Sequence, residues 1–169
     1  MLGRAGGYLD EGVGSTLEGF TDSLDWDANF SDARGWIRPG LAADVRKKYA
    51  MEVVSWQLKG ADEPNIDRMK AAHYLQSDRE VSFFQEHVVG RSLPEIVDDT
   101  YPVIVGVKPG FGGEAKSTHA IIMTEWIKGK VTVVDPDDRN TQQVYDEAYV
   151  DQYLNPTGGG CTIILPKSV

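Results

Sequence analysis

Apolar and polar positions are most sharply patterned in the last third of the chain. Ser117 to Thr124 and Val131 to Asp135 are two runs rich in β-branched residues, joined across Lys128-Gly129-Lys130. Strand-forming residues on both sides of a glycine-bearing turn predict an antiparallel hairpin. Pro136 closes the second run, because proline has no N–H for a ladder. Tyr101 to Val107 is a nearly unbroken apolar run, the pattern of a central strand buried on both faces. Met51 to Leu58 alternates enough for a further strand, and Gln142 to Tyr145 for a short one. Gly158-Gly159-Gly160 leads into Cys161 to Leu165, a final buried strand in which Cys161 is a small core residue.

Helical spacing and start signals fill the first two thirds. Leu41, Ala42, Val45 and Tyr49 recur at helical intervals behind Pro39. Ser15-Thr16-Leu17-Glu18, Ser77-Asp78-Arg79-Glu80 and Ser92-Leu93-Pro94-Glu95 are capping boxes. They predict helices from Thr16 to Leu24, from Asp78 through Val88 to a stop at Gly90, and from Ser92 to Asp98. Asn65 caps another helix, with Ile66, Met69, His73 and Leu75 expected along one side, and Asp146 to Tyr153 is read as the last. Residues 1–7 are expected to be irregular. Helices first and a mostly antiparallel sheet last define the α+β class, in one domain spanning 1–169.

Composition narrows the partners. Seventeen basic against twenty-six acidic residues give a net charge of -9, and no basic run pairs with phosphates, which argues against nucleic acid. No apolar stretch reaches the ~18–20 residues of a membrane helix, and the N-terminus lacks a signal-peptide core; no membrane insertion and a cytoplasmic location are expected. Cys161 is the only cysteine, so no intrachain disulfide or thiolate cluster forms. The acidic stretch Asp25-Trp26-Asp27-Ala28-Asn29 begins like a calcium loop, but Phe30 and Trp36 stand where the loop needs glycine and glutamate. No metal and no cofactor are expected. His73 and His87 read as packing or surface residues.

The candidate chemistry lies on the hairpin. Antiparallel pairing brings His119, near the start of the first strand, toward the same end as Asp135, at the close of the second. An imidazole beside a carboxylate is the base and orienter of a nucleophilic constellation; a strand-end histidine beside a turn aspartate is the plainer alternative.

Four stretches together resemble the papain-like cysteine peptidases, and within them the bacteriocin-processing, double-glycine leader peptidase-like proteins. They are Gly35 to Leu41 with the helix ending Lys47-Lys48-Tyr49, Ser92 to Val107, His119-Ala120-Ile121-Ile122, and Val133-Val134-Asp135-Pro136. The resemblance implies His119 as general base and Asp135 as its orienter. It also implies a cysteine at the start of the first helix, where Val13 stands, and a glutamine just upstream, where residues 3–12 have none. Ser15 lies near the nucleophile position but already serves as an N-cap. Cys161 has no following helix to lower its pKa. The resemblance therefore implies a bacterial, papain-like pseudoenzyme that binds a peptide or protein segment in a former active-site groove. The alternative is an active thiol peptidase or acyl transferase whose nucleophile is substituted or lies elsewhere in the sequence.

Overall fold

A computed structural model of the chain describes residues 30–31, 35–36, 38–58, 64–113, 119–135, 142–154 and 160–166, with the backbone alone at 30–31, 35–36, 38–41, 44 and 119. The predicted helix at 16–24 and the acidic stretch at 25–29 lie outside these residues. Strands β1 (Phe30–Ser31) and β2 (Gly35–Trp36) pair antiparallel as a small ribbon. Helix α1 (Arg38–Tyr49) and strand β3 (Glu52–Gln57) follow. Three short helices come next: α2 (Ile66–Ala71), α3 (Asp78–His87) and α4 (Leu93–Asp99). The rest is β4 (Val103–Val107), β5 (His119–Ile127), β6 (Lys130–Val134), β7 (Gln142–Asp146), helix α5 (Glu147–Tyr153) and β8 (Gly160–Leu165).

The six strands β3 to β8 form one sheet in the order β3-β8-β4-β5-β6-β7, with every neighbour antiparallel. The class is α+β. Both faces of the central strands are buried, which is why β4 is apolar at nearly every position. On one face, Val105, Met123, Val133 and Ile163 join Phe84 of α3, Ile96 of α4 and Val150 of α5 in a single core. The alternate residues Val53, Ile122, Val134 and Ile164 are buried as well, as are Ala42 and Val45 of α1.

Local signals account for the helix starts. Asn65 accepts from the Arg68 amide, Ser77 closes a reciprocal capping box with Glu80, and the Ser92 amide and hydroxyl both donate to Glu95. One expectation is corrected. His73 and Leu75 do not continue α2, which stops at Ala71. The backbone turns left-handed at His73, with φ 60°. Its carbonyl accepts from the Arg46 guanidinium at 3.0 Å, and that of Tyr74 from the Ser55 amide at 3.1 Å. Partners on other elements replace the next helical turn.

The same segment seals the outer edge of the sheet. Glu80 is 1% exposed and accepts from Arg46 Nε at 2.8 Å and Arg46 Nη2 at 3.0 Å. Glu80 Oε1 also takes the Val53 amide at 2.8 Å, while Arg46 Nη2 reaches the Val53 carbonyl at 2.6 Å. With Tyr74 capping Ser55, an ion pair and a turn stand where a seventh strand would lie, so the β3 edge offers no open template. At the other end of α4, Asp98 accepts the Trp126 amide at 2.8 Å, covering the part of β5 that runs beyond β4.

Candidate functional site

The hairpin that carries the candidate residues turns at Lys128 and Gly129, with φ 52° and 75°. Ile127 pairs with Lys130 across it, so the loop has two residues, both left-handed. This is the type I′ geometry whose twist suits a hairpin. The first strand runs to Ile127 rather than stopping at Thr124, with a register shift between Met123 and Glu125.

At the opposite end of the hairpin, Ile122 pairs with Val134. Asp135 follows one residue later, and His119 opens β5, its backbone paired with Val107 of β4. Continued one step, the register sets Asp135 opposite Ile121, two positions from His119. Such diagonal neighbours lie roughly 7–8 Å apart between backbones, within reach of longer side chains. Asp135 is 7% exposed. Val13 and Ser15 lie outside the described residues.

A glycine-rich turn lies against the carboxylate. After β4 the chain forms a single 3-10 turn at Phe111–Gly113, and Gly110, Gly112 and Gly113 all have positive φ. A Cβ on Gly112 would sit 3.9 Å from Asp135 Oδ2 and 3.9 Å from the Tyr145 hydroxyl. The turn is held by α5. The Gly112 amide donates to the Tyr149 hydroxyl at 3.0 Å, and the Lys108 amide to the Tyr153 carbonyl at 2.8 Å. The Tyr153 ring packs so close to Gly110 that an added Cβ would meet it at 3.3 Å.

Phe111, 1% exposed, anchors the turn among three tyrosines. Its ring centroid lies 5.0 Å from Tyr145, 5.6 Å from Tyr149 and 5.6 Å from Tyr153. Tyr145 and Tyr149 stack at 5.1 Å with an interplanar angle of 12°, and Tyr145 donates to Gln143 Oε1. Loss of solvation, then the charge and hydrogen bond of Tyr149, push the Tyr153 phenol above its usual range. These tyrosines were not singled out in the sequence. Their i, i+4, i+8 spacing was the available signal, and it places all three on one side of α5 and its approach.

The other candidates separate from the hairpin. His73 is exposed and 3.3 Å from Gln76 Nε2 through Nδ1. His87, in the last turn of α3, packs on Phe83 at 4.7 Å. Cys161 is fully buried in β8, paired with Trp56 on one side and Val105 on the other. Among the described residues no group of three or more His, Cys, Asp or Glu is placed to hold a metal ion, and no helix is long and apolar enough to cross a membrane.

No protein-family model matches the chain, and neither does any curated protein or solved structure. Its class therefore rests on the fold itself: an α+β protein built on a six-stranded antiparallel sheet.

Proposed function

We propose that this chain is a papain-like domain of the double-glycine leader peptidase type that has lost its nucleophile and binds a peptide or protein segment without cleaving it. The observation that carries the reading is the hairpin. His119 opens one strand and a buried Asp135 follows its antiparallel neighbour at the same end. In a thiol peptidase such a carboxylate orients the imidazole, which takes the proton of the attacking group. Valine at position 13 can neither attack nor form an acyl intermediate, so the remaining geometry serves recognition. The burial of Cys161 within the sheet supports the same view, since a thiol without access to solvent cannot reach a peptide bond.

The test introduces the missing thiol. In a Val13→Cys, Cys161→Ser variant, iodoacetamide labelling is followed as a function of pH. A thiol facing His119 labels with a pKa well below the free value of about 8.5. Peptide cleavage stays weak, because one absent oxyanion donor costs about 100- to 1000-fold in rate. Labelling with a free-thiol pKa would show that position 13 does not face the histidine, and the papain-like superposition would fail. In the unmodified chain, peptide turnover abolished by iodoacetamide would instead establish a working thiol nucleophile.

A further inference from the structure

The two edges of the six-stranded sheet are finished differently. Arg46, Glu80 and Tyr74 close the β3 edge, whereas β7 ends the sheet with Gln142, Val144 and Asp146 exposed. We propose that β7 is a pairing edge for a second copy of this chain, joined antiparallel about a two-fold axis at Val144, so that two sheets become one. The inference is independent of the His119–Asp135 reading.

Three observations combine. The first is which backbone groups face outward. The Glu147 amide donates to the Gly129 carbonyl at 2.9 Å, and the β6–β7 register, continued one step past Lys130 and Asp146, sets those two residues opposite each other. Bonded and non-bonded pairs alternate along an antiparallel ladder. Gln143 and Tyr145 therefore bond inward to β6, while Gln142, Val144 and Asp146 turn their N–H and C=O groups outward. The second is what the edge lacks. Its five residues include no lysine or proline, and its pairing with β6 runs without a bulge. Those are the devices that keep sheet edges apart. The third is self-complementarity. A two-fold axis at Val144 sets each Val144, 62% exposed, beside its counterpart, and each Gln142 beside the Asp146 of the other copy. Valine meets valine, and an amide that donates meets a carboxylate. Lys130 Nζ already matches the Asp146 charge within its own chain at 2.5 Å, so no like charges oppose each other across the seam. Every outward N–H of one copy then finds a carbonyl of the other. A five-residue seam lies below the roughly 1,200 Å² of a standard interface, so the association is weak and concentration-dependent.

The experiment follows the oligomeric state of the full chain. Sedimentation velocity between about 10 μM and about 1 mM should show a dimer forming with a Kd of order 0.1 mM, as suits so small a contact. Over the same range, hydrogen exchange read by NMR should slow at the Val144 amide by several-fold. Val144→Lys and Val144→Glu each set like charges directly opposite across the two-fold axis. Each variant alone should weaken the dimer about tenfold or more. An equimolar mixture of the two should recover it, because lysine then faces glutamate. With a parent charge of -9, both variants stay strongly acidic, so recovery cannot come from general attraction. A chain that is monomeric at the highest concentration overturns the proposal. So does a dimer that neither variant weakens, since its interface would lie elsewhere, and so does a mixture that stays monomeric, which refutes the pairing at 144. Slowing of the Val144 amide only when an unrelated extended peptide is added would assign the edge to a foreign strand and overturn it as well. Should a variant fail to fold, the concentration dependence of the Val144 amide in the unmodified chain decides alone.

Discussion

Replacing Glu80 by glutamine should be among the most damaging near-isosteric changes in this protein. Each oxygen of the carboxylate faces donors only. Oε1 accepts from Arg46 Nε and the Val53 amide, both at 2.8 Å. Oε2 accepts from Arg46 Nη2 at 3.0 Å and from the amides of Gln76 at 2.5 Å and Ser77 at 3.4 Å. A glutamine keeps one acceptor and turns an NH2 group toward at least two donors, whichever way it is flipped. It also leaves the Arg46 guanidinium, 10% exposed, without its counter-charge. Two lost hydrogen bonds to a charged group amount to about 3–6 kcal/mol. Breaking a buried pair from one side costs about 3–5 kcal/mol, so the two routes agree. Against a total stability of about 5–15 kcal/mol, that is a large share. With a urea slope near 2 kcal/mol per molar, the midpoint should fall by about 2 M. Urea titration followed by tryptophan fluorescence measures it. A fall under about 0.5 M would refute the claim that this carboxylate closes the edge of the sheet. The double variant Arg46→Met, Glu80→Leu adds a control. Apolar replacement of a buried ion pair is often neutral or better, but here it strands the amides of Val53, Gln76 and Ser77, so the double variant should also be destabilised.

Other expectations follow from local geometry. Lys128 is left-handed in a two-residue hairpin loop, so Lys128→Asn should stabilise the protein by about 0.5 kcal/mol; a lower melting midpoint would contradict the type I′ assignment. The Ser92 hydroxyl and amide both donate to Glu95 and, in that order, hold its carboxyl below the usual glutamate value. A depressed folded-state pKa contributes stability that is present above the unfolded pKa and lost as pH falls through the folded one. Ser92→Ala should therefore raise the Glu95 titration midpoint seen by NMR; identical midpoints would rule the capping bond out.

What the sequence revealed was local. Capping boxes at Ser77 and Ser92, the glycine turn at Lys128-Gly129 and the apolar run of β4 each carry their signal within a few residues, and each element formed where that signal lay. What it concealed was relational. Glu80 was legible as the closing residue of a capping box, and it does close one, but nothing near it announces that Arg46 and Val53 converge on the same carboxylate. His73 looked helical because periodicity ignores the tertiary partners that take its carbonyl. For the candidate site, His119 and Asp135 were legible as strand-end residues, whereas the Tyr149 contact with Gly112 joins residues 37 apart in sequence and leaves no local trace.

The position of β8 sets a timetable for making this protein. The strand lies between β3 and β4, and Ser55 and Thr162 share a hydroxyl hydrogen bond at 3.0 Å across 107 residues of chain. At about 5–20 residues per second of synthesis, β3 waits roughly 5–20 seconds for the strand that joins it to the sheet. Until then the hairpin β5–β6 can pair with β4, but the inner edges of β3 and β4 stand open with their apolar side chains uncovered. A nascent chain is thus most exposed to wrong strand pairing just before residues 160–165 emerge. Slowing translation within that window should increase aggregation more than slowing it anywhere earlier.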